Sequence, residues 1–350
     1  MLQGKKVIID IGNSDLKFLV YKKSAGKVIL DDIFVEVNGD SRDFRATAGN
    51  IMRILKAKKL PKVVGCILST NNLLQKLDMQ QIYSDKDIKG YVANKIVDTL
   101  RGPFNAEDII YDYSTTGNVF INTTSTNIIY AYGYPKYILV NYYKELEACG
   151  IKIEFIESAF TGYREYTKKV TRPTYESDII WVDIGKATSR QTCFRGDTLV
   201  YQNKTDNGID KIVMSVAHAN NIHRKSVMDI VLKVGLKAVE EDDDRLFSLI
   251  DINHESYNNI MDLGIGQVYQ DIKATYDSQK FSNNQKVSLV LSGYGLIVPG
   301  MFRVLSERCQ MIGKPSLWGM ASGFKDKKLE NKTGKDITAE FATVVSVAMR

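Results

Sequence analysis

Apolar and polar residues alternate with a period of two in the first part of the chain, which is the period of β-strands. The alternation predicts three strands between residues 6 and 37, joined by short polar turns. Apolar residues then recur at helical spacing over residues 44–57, and a further apolar strand follows Pro61 at residues 63–68. A meander of strands followed by a helix and another strand is typical of one half of an α/β protein.

The pattern changes after residue 70. It predicts a strand over 73–78, a helix over 88–100, a pair of strands around 119–132 and a helix over 136–149. Strand, helix, strand, strand and helix form a compact α/β module of their own. We therefore interpret residues 70–147 as a subdomain inserted into a larger fold.

Two strands end in the sequence Asp-x-Gly. Residues 6–9 lead into Asp10-Ile11-Gly12, and residues 179–182 lead into Asp183-Ile184-Gly185. Glycine lets the turn amides approach an anion with no Cβ in between, and the carboxylate can hold hydrated Mg²⁺. A single Asp-x-Gly is most simply an ordinary hairpin turn. Two such turns, one from each half of the chain, can bind a triphosphate from two sides. The duplication is similar to the ATP cleft of the actin superfamily.

A third element follows in the second half of the chain. An apolar run over 287–292 ends in Gly293-Tyr294-Gly295, and Pro299 lies at the start of the next helix. In the actin superfamily a turn at this place lies against the adenosine.

The positions of these elements predict the domain organisation. The first lobe is expected to comprise residues 1–69 and 148–178, and the second lobe residues 179–337. The C-terminal helix at 338–350 is expected to pack back between the lobes. A further helix, which starts at Ile156 and contains Glu157, is expected to cross between them.

Composition narrows the functional class. The chain has 350 residues, of which 44% are hydrophobic, and this is enough for a large core in two lobes. Its four cysteines lack Cys-x-x-Cys spacing, so neither a zinc site nor a disulfide framework is predicted. No apolar run has the length of a membrane span and no signal sequence is recognisable, so we expect a cytoplasmic protein. The net charge of +6 comes from dispersed lysines, and no nucleic-acid partner is predicted.

The order of these pieces resembles the PilM family, actin-like cytoplasmic proteins of type IV pilus assembly that are similar to the cell-division protein FtsA. The likeness covers nearly the whole chain. Besides the two hairpins, it is carried by residues 103–113 in the inserted module, 146–152 after it, 291–301 around the glycine turn and 341–350 at the end. It implies an α/β, actin-like (ribonuclease H-like) two-lobed ATPase fold with an inserted small α/β subdomain.

The resemblance also implies a function. Members of the family are scaffolds that bind ATP and Mg²⁺ between two lobes, and weak ATP hydrolysis at most is expected here. A groove that involves the inserted module would capture the cytoplasmic N-terminal tail of a PilN-like inner-membrane protein. The scaffold would then lie at the inner face of the membrane through its partner, in a type IV pilus or a related type II secretion machine. Contacts with other inner-membrane platform proteins and self-association are further expectations.

By the same resemblance, individual residues receive roles in the cleft. Asp10 and Asp183 would hold Mg²⁺ through water. The residues that would line the phosphates are Gly12, Asn13, Ser14, Gly185 and Thr188. Lys17 either reaches the β-phosphate from the returning hairpin strand or is a solvated strand lysine.

Two further assignments leave alternatives. Asn207 and Gly208 either offer the N-terminal amides of the next helix to a phosphate or ribose, or form only a turn and cap. Glu157 lies where relatives orient the hydrolytic water. A hinge or structural role is favoured for it, because a carboxylate beside a phosphate needs a metal to offset the repulsion.

The chain departs from the family pattern at three places. Tyr294 follows Gly293 where a second glycine is usual, so its ring either stacks on the adenine or fills the adenine pocket. Lys186 replaces a small residue in the second hairpin, where it either pairs with a phosphate or stands in for one. Residues 224–229 lack the Glu and Lys that contact ribose and base in the family. These departures favour nucleotide binding without efficient turnover.

Two other functions remain open at this point. One is a filament-forming division or segregation protein of the FtsA or ParM type. The other is a sugar or acetate kinase of the same superfamily, which requires a carboxylate base in a second pocket beside the γ-phosphate. No carboxylate outside the two hairpins can be assigned to such a pocket from the sequence.

Overall fold

The computed structural model contains two large β-sheets of related topology and a small third sheet. It describes residues 4–69, 73–79, 85–99, 105–121, 124–170, 178–196, 198–236, 247–248, 252–279, 287–318, 329–334 and 338–349. The strands in chain order are β1 (Lys6–Ile11), β2 (Asp15–Ser24), β3 (Lys27–Val37), β4 (Val63–Leu68), β5 (Leu73–Met79), β6 (Ile109–Ile121), β7 (Thr124–Pro135), β8 (Lys152–Ser158), β9 (Asp178–Ile184), β10 (Ser189–Arg195), β11 (Thr198–Thr205), β12 (Ser288–Ser292), β13 (Lys314–Leu317) and β14 (Leu329–Asn331).

The helices lie between and around these sheets. They are α1 (Phe44–Ala57), α2 (Asp85–Thr99), α3 (Lys136–Ala148), α4 (Ala159–Val170), α5 (Ile209–Ala219), α6 (Arg224–Lys233), α7 (His254–Ser278), α8 (Met301–Cys309) and α9 (Ala342–Ala348). Short 3-10 turns occupy Ala106–Asp108, Tyr294–Ile297 and Ala339–Phe341. Among the helices that the structure describes, none is long and apolar enough to cross a bilayer.

The two sheets repeat one topology. The first sheet has the order β14–β3–β2–β1–β4–β8, and the second has the order β11–β10–β9–β12–β13. In each, an antiparallel meander is followed by a strand parallel to its first strand, which is β4 beside β1 and β12 beside β9. The β1–β2 and β9–β10 hairpins therefore occupy the same position in their sheets, as the duplicated Asp-x-Gly sequence predicts.

Helix α1 covers the outer face of the first sheet. It begins at a cap in which the Asp43 carboxylate accepts a hydrogen bond of 2.9 Å from the Ala46 N–H. Its apolar face shares one core with β1, β2, β4 and α3. Helix α3 joins this core through Ile138, Tyr142 and Leu146. The helix that ends the predicted insertion thus packs on the first lobe, and the domain boundaries stay a prediction.

The inserted module has a small sheet and core of its own. Its antiparallel strands have the order β5–β7–β6, and α2 packs on them around Val92, Ile96 and Ile129. Strand β6 begins at Ile109, earlier than the strand pair predicted around 119–132, because its pairing with β7 continues to Pro135. The order of strand, helix, strand, strand and helix agrees with the sequence pattern.

Helices α4 and α9 lie between the two sheets. Their buried side chains form one core with residues of both sheets, such as Ile8 and Leu19 from the first and Ile179 and Trp181 from the second. The Trp181 ring stacks on Tyr163 of α4 with a centroid separation of 4.5 Å. This shared core joins the two lobes.

The prediction that Glu157 lies on the crossing helix is wrong. Strand β8 continues to Ser158, and α4 begins only at Ala159. The parallel pairing with β4 extends to the partners Leu68 and Ser158, so hydrogen bonds to the neighbouring strand keep this segment extended. Glu157 pairs in register with Ile67 from β8, the edge strand of the sheet, and its role stays a prediction.

The four cysteines differ in their access to solvent. Cys66, Cys193 and Cys309 are buried, whereas Cys149 is partly exposed. Burial raises the pKa of the Cys66 thiol to about 12 and that of Cys309 to about 11, so neither forms a thiolate readily at neutral pH. We expect Ellman's reagent to label Cys149 alone in the native protein and all four thiols after denaturation. Rapid labelling of native C149S would contradict this packing.

Candidate functional site

The two Asp-x-Gly hairpins face each other across one cavity. Each is closed by the same backbone hydrogen bond, from the Gly12 N–H to the Asp15 carbonyl (3.0 Å) and from the Gly185 N–H to the Thr188 carbonyl (2.8 Å). A Cβ at Gly12 would lie 2.3 Å from Asp15 Oδ1, and one at Gly185 would lie 2.7 Å from Thr188 O. At Gly185 the close atom is backbone, so only glycine fits, whereas at Gly12 it is a side-chain oxygen that would have to shift. The two hairpins have the same closing bond and the same glycine.

The cavity between the hairpins has a volume of about 50 Å³. At about 10–15 Å³ for each water, it has room for a few water molecules and is smaller than a nucleotide. This space can therefore take the end of a phosphate chain, and the rest of a nucleotide would lie outside it. The lining brings most of the predicted site residues together: Asp10, Gly12, Asn13, Ser14, Asp15, Lys17, Ser69, Asp183, Gly185, Lys186, Ala187, Thr188 and Arg190.

Asp10 lies at the end of β1 and is almost fully buried. Its Oδ1 accepts a hydrogen bond of 2.5 Å from Ser69 Oγ, and its Oδ2 lies 3.8 Å from Lys17 Nζ. Burial raises the pKa of the Asp10 carboxyl, although Lys17 and the Ser69 hydroxyl oppose this. Burial alone would lower the pKa of Lys17, but the carboxylates of Asp10, Asp15 and Asp183 raise it. Lys17 is thus a buried cation of the cleft and not a solvated strand lysine.

Asp183 holds the corresponding position in the second lobe. Its Oδ2 accepts a hydrogen bond of 2.9 Å from the hydroxyl of Tyr163 on α4. Burial and the neighbouring Asp183 carboxylate raise the pKa of Tyr163, so the phenol stays a donor at neutral pH. The carboxylate is therefore fixed in orientation by a helix that also packs against the first sheet.

Arg190 and Ser69 are cleft residues that the sequence does not reveal. Arg190 is 4% exposed and lies opposite Asp183 in the pairing of β10 with β9. Its Nη2 donates a hydrogen bond to the carbonyl oxygen of Ser69, at the end of β4 in the other lobe. Two equally spaced hairpins are visible as a local pattern, but a contact between residues 121 positions apart is not.

The oxygen donors around the cavity suit Mg²⁺. In proteins this ion is usually held by one or two carboxylates, with water and phosphate oxygens completing its shell. Asp10, Asp15 and Asp183 supply carboxylates, whereas the described residues contain no group of three or more His, Cys, Asp or Glu that could ligate a metal by itself. The lining therefore fits a hydrated ion that arrives with the phosphates of its ligand.

Solved structures match this architecture over nearly all of the chain. A chain in a PilM–PilN type IV pilus biogenesis complex is 13% identical, with a TM-score of 0.74 and with 99% of this chain and 98% of that chain covered. The ethanolamine utilization protein EutJ from Carboxydothermus hydrogenoformans is 12% identical, with a TM-score of 0.53 and coverages of 100% and 90%. The chain has the actin-like fold. The predicted fold class and likeness in fold to PilM are thus confirmed, while no protein-family model and no curated protein matches the sequence.

Asn207 and Gly208 lie behind the second hairpin of the actin-like fold and do not line the cavity. The Ile209 N–H donates to the Gly185 carbonyl (3.3 Å) and the Asp210 N–H to the Lys186 carbonyl (2.8 Å). These amides at the start of α5 therefore support the hairpin. The Asn207 amide group donates a hydrogen bond of 2.7 Å to Asp271 Oδ2 on α7. This geometry agrees with the turn-and-cap alternative.

Gly293 and Tyr294 form the turn after β12, beside Asp183. Gly293 has a φ of +99°, and its N–H donates to the Ala339 carbonyl (3.0 Å). The Tyr294 ring is half-buried, and Lys186 Nζ lies 5.7 Å from its centroid, within cation–π range. Two of the three departures from the family pattern therefore lie side by side in the second lobe. Whether the ring stacks on adenine stays a prediction.

Glu340 is a further cleft residue that sequence reasoning misses. Burial raises the pKa of its carboxyl, with Lys17 opposing and Asp15 adding to the rise. Burial raises the pKa of Tyr294, and the nearby Glu340 carboxylate adds to that rise. The C-terminal turn Ala339–Phe341, whose Ala339 carbonyl accepts a hydrogen bond from the Gly293 N–H, therefore brings an acidic group beside the glycine turn. Its distance along the chain from either hairpin hides this from the sequence.

A second and larger cavity lies beside the first hairpin, between the first lobe and α3. Its volume is about 760 Å³, and its lining combines three aromatic rings with charged groups: Asn13, Asp40, Ser41, Arg42, Phe44, Tyr137, Ile138, Tyr142 and Lys204. The Tyr142 hydroxyl donates a hydrogen bond of 2.5 Å to the Ser41 carbonyl, and its ring meets Phe44 edge-on at 4.8 Å. The wall of this cavity is thus held in place by α3.

The first hairpin belongs to both cavities. Asn13 lines each of them. The loop that forms the wall of the larger cavity is bonded to the hairpin tip, since the Ser41 N–H donates to the Asn13 carbonyl (3.3 Å) and the Asn38 N–H to the Ser14 carbonyl (2.9 Å). A shift of the hairpin would therefore move the wall of the larger cavity.

Proposed function

We propose that the protein is an actin-like scaffold that binds Mg²⁺-ATP between its lobes and captures a peptide segment of a partner in the larger cavity. The partner we propose is the cytoplasmic N-terminal tail of a PilN-like membrane protein, in a type IV pilus or related type II secretion machine. The similar fold of a chain from a PilM–PilN complex, over 99% of this chain, supports this choice. Turnover of ATP is proposed to be weak.

The larger cavity suits a peptide better than it suits a small polar metabolite. Its volume of about 760 Å³ is within the range of ligand pockets. Phe44, Tyr137 and Tyr142 offer aromatic surface to apolar side chains, and Arg42 and Lys204 offer cations to acidic ones. Such a mixture of ring faces and charges is typical of peptide recognition. The protein would be held at the membrane through this partner.

The observation that carries the proposal is the shared wall of the two cavities at Asn13. A nucleotide that draws the hairpins together differs in affinity between the open and closed arrangements, so it shifts their populations. Because the hairpin tip is bonded to the loop at 38–41, the same shift reaches the peptide cavity. Linkage then requires each ligand to change the affinity of the other by the same factor.

The test is a calorimetric titration with a synthetic peptide of the cytoplasmic N-terminal tail of a PilN-like protein, with and without Mg²⁺-ATP. We expect binding, and a change of Tyr137 to alanine should weaken it about 10-fold because an aromatic anchor is lost. Tyr143→Ala is the matched control, since both tyrosines are exposed on α3 and only Tyr137 lines the cavity. Absence of heat with the peptide under every nucleotide condition would count against the pilus assignment.

A further inference from the structure

Arg190 is a buried cation with an unused donor in the cleft. A guanidinium that is 4% exposed normally has its donors satisfied, because an unpaired buried charge is strongly unfavourable. Its Nη2 is bonded to the Ser69 carbonyl of the first lobe, but Nη1 has no hydrogen-bond partner among the residues that the structure describes. The same side chain lines the cavity between the hairpins. An anion in that cavity would complete its bonding.

We propose that Arg190 binds the terminal phosphoryl group of a nucleoside triphosphate and links its presence to closure of the lobes. This rests on the proposed binding of nucleotide between the hairpins. The planar guanidinium can donate to the Ser69 carbonyl and to a phosphate oxygen at once, which a lysine cannot do with comparable geometry. A triphosphate would then stabilise the closed arrangement in which Arg190 bridges the lobes, and a diphosphate would not.

The strand order determines which end of a nucleotide meets Arg190. In the second sheet β10 and β12 flank β9 on opposite sides. Arg190 pairs with Asp183 from the β10 side, and Ser292 pairs with it from the β12 side. With the adenosine at the turn of Gly293 and Tyr294 after β12, the phosphate chain runs across Asp183 towards β10. The last phosphoryl group is therefore the one that reaches Arg190.

The size and charge of the cavity agree with this assignment. About 50 Å³ is room for a group as large as a few waters, which is the scale of one phosphoryl group. The lining carries three carboxylates (Asp10, Asp15 and Asp183) and three cations (Lys17, Lys186 and Arg190). Because these charges sum to zero, the lining gives a free anion little net electrostatic attraction. A phosphate that arrives with Mg²⁺ brings its own compensating charge, so the occupied site stays close to neutral. Without Arg190 the lining is net negative and opposes the terminal phosphate.

A second cation lies on the same side of the cleft. Burial and the nearby Arg190 guanidinium lower the pKa of Lys204 on β11. Lys204 is the register partner of Arg190, so the β10–β11 side of Asp183 carries two cations, whereas Tyr294 follows β12 on the other side. This asymmetry of charge supports the direction that the strand order implies.

The experiment compares Mg²⁺ complexes of the non-hydrolysable ATP analogue AMPPNP and of ADP by calorimetry. We expect R190Q to weaken AMPPNP binding about 10-fold or more, the effect of one charge-assisted hydrogen bond, and to change ADP affinity by less than about 3-fold. R190K should lie between wild type and R190Q, because it keeps the charge and loses the bridge to Ser69. R303Q, the same change at an exposed arginine on α8, is the control and should bind as wild type.

Small-angle scattering supplies a second readout. AMPPNP should compact the wild type more than ADP does, and R190Q should lose that difference. Equal weakening of both nucleotides, or none, in R190Q overturns the assignment of Arg190, and R190K decides the point if R190Q does not fold. If the wild type binds neither nucleotide, the assignment and the nucleotide part of the proposed function both fail. The peptide titration then still tests the scaffold role by itself.

Discussion

Replacing Asp10 by asparagine is expected to abolish Mg²⁺-dependent ATP binding while the protein stays folded. The change removes one carboxylate that would hold the hydrated ion, and outer contacts of this kind are worth up to about 100-fold in metal affinity. Asparagine keeps the shape and can still accept the hydrogen bond from Ser69 Oγ. Alanine is a poorer test, because it removes the acceptor of the Ser69 hydrogen bond and leaves a void, in addition to the loss of charge beside Lys17 that both changes share.

The measurement is a titration of D10N with ATP in Mg²⁺ and in EDTA, beside a thermal unfolding curve. D262N is the matched control, since Asp262 is an exposed carboxylate that pairs with Arg308 away from the cleft. It should bind Mg²⁺-ATP as the wild type does. Unchanged Mg²⁺-ATP affinity in folded D10N would refute the assignment of the site to the two hairpins.

Gly293→Ala is expected to destabilise the second lobe strongly. Gly293 has φ +99° and ψ 176°, a region that only glycine adopts readily, so alanine adds about 1–3 kcal/mol of backbone strain. Its Cβ would also lie 2.3 Å from Asp183 Oδ1 and 2.5 Å from the Ile184 carbonyl oxygen. Because β12 and β9 are hydrogen-bonded neighbours, neither can move away without loss of pairing. We expect a total loss of about 3–5 kcal/mol in the free energy of unfolding.

Urea unfolding of G293A and of G196A separates the two causes. Gly196 also has a positive φ of +60°, but a Cβ there meets nothing within 4 Å, so G196A should lose only about 1 kcal/mol. G293A should in addition lose Mg²⁺-ATP binding, because the Asp183 carboxylate is displaced. A loss of stability in G293A no greater than in G196A would mean that the turn does not press on Asp183.

The hairpins could be predicted because their signal is local. A strand of apolar residues followed by Asp-x-Gly specifies a hairpin through its local sequence alone. The two copies indicate the duplicated topology that the sheets show. The register is equally local, since Asp10 and Lys17 are opposite one another within a single hairpin. The ion pair between Asp10 and Lys17 follows from that register and from the low exposure of both side chains.

The remaining cleft residues come from distant parts of the chain. Ser69 ends a strand that becomes a neighbour of β1 only through parallel pairing, and Arg190 crosses from the other lobe to meet it. The sequence predicts a strand over 151–155 and a helix from Ile156, so Glu157 falls just beyond the predicted boundary between the two. The pairing of β8 with β4, a tertiary interaction, decides in favour of the strand. A local sequence pattern carries no information about such tertiary contacts.

The last residues of the chain complete structures that the first residues begin. Strand β14 adds to the edge of the first sheet beside β3, and α9 packs against α4, β1 and β2. Both follow β13, the last strand of the second sheet, in the chain. A ribosome therefore releases the nascent first lobe with an open sheet edge and an uncovered apolar face. Folding of that lobe during synthesis has to wait for the final helix, and chaperone contact is expected at this stage.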